Sequence, residues 1–121
     1  MHRLLPLLLA LGCAPEITTA TYTDGLLCVQ EDAATVEFDL CLSSSCDTLK
    51  SAECTAVLDG DTITVTAEAV VETEGDECTA DCGLVFISCD LPEGIDDTMS
   101  VVWGAESETL ALMRAGTCLG A

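Results

Sequence analysis

Short apolar runs recur along the chain from Leu26 onward, set apart by Gly, Asp, Ser and Pro, and none sustains a 3.6-residue period. Two segments alternate cleanly. Ala34–Leu42 sets Val36, Phe38, Leu40 and Leu42 against Glu37, Asp39 and Cys41, and Thr62–Val71 sets Ile63, Val65, Ala67 and Ala69 against Thr64, Thr66 and Glu68. A period of two sends alternate side chains to opposite faces, so each segment predicts a strand with one dry and one wet face. Further strands are predicted at Leu26–Gln30, Glu53–Leu58, Leu84–Ser88, Thr98–Trp103 and Thr109–Met113, with negligible helix. Asp59-Gly60, between the third and fourth strands, tolerates positive φ and predicts a tight hairpin. Leu84-Val85-Phe86-Ile87 does not alternate, which predicts a strand covered on both faces near the centre of the domain. Met99, Val101 and Trp103 alternate before Gly104, with Leu110 and Leu112 beyond it, and suggest a closing hairpin.

About seven short strands at this spacing imply an all-β, disulfide-rich, two-sheet sandwich of immunoglobulin-like architecture, with a small β-barrel as the alternative. The cysteines do not follow the single inter-sheet bridge beside a Trp found in antibody domains, so the likeness is one of architecture. Three regions are expected: an export signal at 1–12, a lipidated N-terminus and flexible tether at 13–25, and an acidic β domain at 26–121.

Met1–Gly12 carries His2 and Arg3, then the apolar stretch Leu4–Leu11, then a small residue, which is the layout of a signal peptide. That stretch is well short of the roughly 20 apolar residues a membrane span needs. Leu9-Ala10-Leu11-Gly12-Cys13 resembles the lipobox of bacterial lipoproteins. Gly12 and Cys13 match the pattern, whereas Ala10 stands where Leu is commonest and Leu11 where a smaller residue is usual. The resemblance covers these residues only. It implies diacylglycerol on the Cys13 thiol, cleavage before Cys13 and anchoring in a bacterial envelope membrane. Ala14 follows, in place of the Asp that commonly retains such proteins at the inner membrane, which implies the outer one. Ala14 to Gly25, rich in Thr and poor in apolar residues, reads as the tether. In overall composition the chain is similar to small Cys-rich surface lipoproteins of myxobacteria, a likeness that implies no activity.

Only Tyr22, Phe38, Phe86 and Trp103 are aromatic, so the core has to be built from Val, Leu, Ile and Ala and is thin. The nine cysteines bear on this. With Cys13 set aside for lipid, Cys28, Cys41, Cys46, Cys54, Cys78, Cys82, Cys89 and Cys118 remain, an even number able to pair fully. Disulfides contribute roughly 2–4 kcal/mol each in small exported domains. A zinc site on Cys41, Cys46, Cys78 and Cys82 is the competing use, but the first spacing is long for a knuckle and an oxidising compartment pairs thiols. No C-x-x-C is present, and surrounding acids raise a thiol pKa, which speaks against redox catalysis. Spacing cannot fix the connectivity; local closure of Cys46–Cys54 and Cys82–Cys89, with Cys28–Cys118 tying the ends, is the expected pattern.

All 22 acids lie beyond Cys13, where only Lys50 and Arg114 oppose them, so two cations against 22 carboxylates leave −20. Such a field repels phosphate backbones and anionic lipid, excludes nucleic acid as a partner, and leaves cations or basic proteins. The one histidine, His2, lies within the signal. Ser-His-Asp and Cys-His chemistry and imidazole metal ligands are thereby removed from the domain. A carboxylate pair could still hydrolyse a glycoside, yet few aromatics exist to stack a sugar. No cofactor is expected apart from calcium, a hard cation for which Asp59 and Asp61, Asp76 and Glu77 in the Glu74–Glu77 loop, and Asp96 with Asp97 are candidate oxygen ligands. The leading reading is a non-catalytic, membrane-anchored envelope module, structural or ligand-binding. A calcium-dependent adhesion module, and a secreted carboxylate hydrolase or inhibitor, are the alternatives.

Overall fold

The computed structural model describes residues 16–120, which form β1 (Ile17–Tyr22), β2 (Gly25–Gln30), β3 (Ala33–Phe38), β4 (Asp47–Asp59), β5 (Thr62–Glu74), β6 (Phe86–Asp90), β7 (Ser100–Trp103), β8 (Glu106–Thr109), the short helix α1 (Leu110–Arg114) and β9 (Leu119–Gly120). The fold is all-β, in two sheets that do not close into a barrel. β4 and β5 form a long antiparallel hairpin whose turn carries Gly60 at φ 64°, the conformation anticipated for Asp-Gly. β4 covers one edge of β5 from Thr62 to Thr73. β1 and β7 must therefore share the other edge, β1 running antiparallel along Ala69–Glu74 and β7 parallel along Thr62–Val65, with β8 outside β7. The second sheet has the order β6-β3-β2-β9.

Alternation builds the interior. Leu27, Val29, Ala34, Val36 and Phe38 of the second sheet meet Ile63, Val65, Ala69, Val101 and Trp103 of the first, all buried. Leu110 and Met113 of α1, fully buried, add to this core. Trp103 Nε1 donates to the Gly25 carbonyl at 2.9 Å, joining the two sheets at one corner and satisfying the buried indole. Only glycine fits there, since a Cβ on residue 25 would stand 2.3 Å from the Glu37 carbonyl oxygen.

Four disulfides hold this frame: Cys28–Cys118, Cys41–Cys82, Cys46–Cys78 and Cys54–Cys89. The first is the expected tie between chain ends. Cys46–Cys54 and Cys82–Cys89 are not formed. Cys46 and Cys54 are eight residues apart along extended β4, about 26 Å at 3.3 Å per residue, whereas bridged Cα atoms lie about 4.4–6.8 Å apart. Cys82 and Cys89 are separated in the same way by chain that runs from the Leu42–Gly83 bridge into β6. The second sheet's β6 and the first sheet's β4 are instead stapled to each other by Cys54–Cys89.

Other departures have local causes. Ile17–Tyr22, within the expected tether, is strand β1, and every residue of it is exposed, so its order comes from backbone pairing with β5 rather than from burial. β4 begins at Asp47 instead of Glu53, with a bulge at Lys50. β3 stops at Phe38, where Leu40 N–H turns back to the Phe38 carbonyl. Of the strand expected at Thr109–Met113, only Thr109 is extended and Leu110–Met113 is helical: Leu110 and Met113, three apart, share the buried side, and Thr109 Oγ1 accepts from Leu112 N–H as the N-cap. Leu84–Ile87 is not covered on both faces; β6 is an edge strand, with Leu84 and Phe86 each 55% exposed.

Candidate functional site

Between β3 and β4 the chain carries Cys41, Ser43-Ser44-Ser45 and Cys46, and between β5 and β6 it carries Cys78, Thr79, Asp81 and Cys82. Two disulfides lock these loops together, and a polar knot fills the space between them. Asp47 accepts from the Thr73 hydroxyl (2.6 Å) and from Ser43 N–H (2.7 Å), while Ser43 Oγ meets Thr79 Oγ1 at 2.9 Å. Thr79 N–H donates to Ser45 Oγ at 2.9 Å, and Asp81 accepts from Thr79 Oγ1 and Ser44 N–H. Donation from Thr73, then from Ser43, holds the Asp47 carboxyl below the ordinary carboxylate value; Thr79 and Ser44 do the same for Asp81. A general acid needs a pKa shifted upward toward neutrality. These carboxylates are shifted the other way and serve to order loops.

That direction sets a pH dependence. A carboxylate with a depressed folded pKa contributes fully above its unfolded value near 3.8 and loses the contribution as pH falls through the lower folded value. The amide resonances of Ser43 and Ser44 are expected to titrate with midpoints below 3.8. Midpoints at or above that value would show the knot unformed.

The candidate calcium ligands sit in three segments of the chain. Asp59 and Asp61 flank the β4–β5 turn, Asp76 and Glu77 lie in the loop after β5, and Asp96 and Asp97 lie before β7. Asp96 is turned onto the hydroxyl of Thr98 and its N–H (2.9 Å), which lower its pKa, and Asp97 is engaged by Arg114. Among the described residues no three His, Cys, Asp or Glu side chains converge as a metal group. Cys13 lies outside the described residues.

The third feature was not legible beforehand. β1 pairs with β5 only as far as Tyr22 opposite Ala69, and β7 only as far as Trp103 opposite Val65. Thr66, Ala67 and Glu68 therefore have no strand on that edge. Beside this gap lies a cavity of about 490 Å³, lined among others by Asp24, Glu53, Thr55, Thr66, Glu68 and Trp103. Glu53 and Glu68 are directly opposed across β4 and β5, and the neighbouring Thr55 and Thr66 hydroxyls meet at 2.7 Å.

No protein-family model, curated protein or solved structure matches this chain. The gap escaped sequence reading because it exists only once β1 and β7 divide one edge of β5, and β1 carries no burial pattern to betray it. Among the described residues no helix is long and apolar enough to cross a membrane.

Proposed function

We propose that the chain is a non-catalytic module of a bacterial cell envelope, exported, held at the outer membrane by lipid on Cys13, and structural or ligand-binding in role. The observation that carries this is cysteine parity: four bridges use the eight cysteines beyond Cys13, and Cys13 stands in a lipobox-like segment. Four disulfides are consistent with an oxidising, exported location. The non-catalytic half is supported by the lack of histidine among the described residues, which takes imidazole acid–base chemistry out of the domain.

Intact mass of the full chain expressed in a double-membraned bacterium tests the reading. The expected product starts at Cys13, carries the mass of a diacylglycerol with or without a further acyl chain, and gains two hydrogens per bridge on reduction. Cys13→Ser should remove the lipid and release the protein from the membrane fraction. An unacylated wild-type protein that retains residues 1–12, or free thiols in its native state, would sink the proposal.

A further inference from the structure

The interruption in the first sheet calls for an occupant. Successive residues of a strand direct their backbone N–H and C=O groups to opposite edges, so the bare stretch Thr66–Glu68 turns one or two residues' worth of such groups toward the gap. Water or another chain has to satisfy them, and an open edge is a template for an added strand. The acids beside it select what can enter. Asp24, Glu53 and Glu68 all line the cavity, and opposed like charges such as Glu53 and Glu68 destabilise a sheet. No cation of the fold relieves them: among the described residues the ion pairs are those of Arg114 with Asp32 and Asp97. The carboxylates do not converge as a metal group. Their spread around the open edge suits a larger organic cation borne on a side chain.

We propose that this gap receives an extended segment of a partner protein bearing Lys or Arg, which adds a short strand beside Thr66–Glu68 and sets its cation against Asp24, Glu53 and Glu68. The inference deepens the ligand-binding half of the reading above and is independent of the lipid anchor. Charge complementarity chooses the occupant over a second copy, because 22 acids against three Lys and Arg make copies repel.

Trp103 is the only tryptophan and lines the cavity, so its emission reports occupancy directly. The oxidised full chain is to be titrated with a synthetic peptide of alternating Lys and Val, and with its counterpart carrying Glu for Lys. The Lys peptide should shift Trp103 emission and slow amide hydrogen exchange within Thr66–Glu68, with affinity falling as salt is raised. The double variant E53Q/E68Q should bind about five- to tenfold more weakly, two exposed charge pairs being lost, with no fall in its melting temperature. Four results would overturn the proposal: equal binding of the Glu peptide, unchanged exchange at saturating Lys peptide, no binding at millimolar peptide, or wild-type affinity in the double variant. Protection of Thr66–Glu68 that rises with protein concentration alone would give the gap to a second copy and overturn it too. None of these bears on the mass of the Cys13 product, so this idea and the anchor fail separately.

Discussion

Complete reduction of the four disulfides is expected to unfold the protein at room temperature. The bridges close loops of 90, 41, 35 and 32 residues. Chain-entropy arguments assign about 4–5 kcal/mol to the longest and about 4 kcal/mol to each of the others. These contributions overlap, because three of the loops lie within the Cys28–Cys118 loop and Cys54–Cys89 interlocks with the other two, but a domain of this size has only about 5–15 kcal/mol of stability in all. Its core holds two buried aromatic rings, Phe38 and Trp103, and β1 adds backbone pairing with no buried side chain. Hydrophobic burial alone therefore leaves little margin. Trp103 emission should move to the solvent-exposed position on reduction, and eight thiols should become titratable. Single-bridge variants should rank by loop length, with Cys28→Ser/Cys118→Ser losing most in urea denaturation. Retention of a buried Trp103 with all eight thiols free would show that the sheets hold without crosslinks.

Much of this architecture was written in alternation. β3 and β5 were legible because each packs one face on the core, and Asp59-Gly60 marked the hairpin because its turn needs positive φ. The parts that escaped are those ordered by something other than side-chain burial. β1 is exposed throughout and held by its backbone ladder, and the first residues of β4, Asp47–Lys50, are largely exposed chain recruited by β5. α1 is too short for a helical period to stand out from alternation, and its signal lay in Thr109 as an N-cap and in Arg114 in the last turn. Eight paired cysteines were readable from parity, their partners only from which strands become neighbours. The candidate site follows the same logic. Its acids are visible in the sequence among many others, whereas the open edge they surround is a product of topology.

Phe38→Ala should destabilise the domain by about 3–5 kcal/mol, the usual cost of removing a buried ring and leaving its cavity. Phe38 is 1% exposed at the end of β3, among side chains contributed by both sheets, and the aliphatic neighbours are too few and too firmly paired in strands to collapse into the space. For a domain of about a hundred residues the expected fall in melting temperature is about 15–30 °C. Phe86→Ala is the matched control: the same ring and β propensity are lost, but from an edge strand where the side chain is 55% exposed. Its cost should be about 1 kcal/mol or less. From the apolar run Leu84–Ile87 alone the two substitutions would be ranked equal; the two-sheet arrangement separates them by about 2–4 kcal/mol. Urea denaturation of both variants, with all four disulfides kept oxidised, measures that gap. Equal losses would mean that Phe86 is covered in solution and that the second sheet does not end at β6.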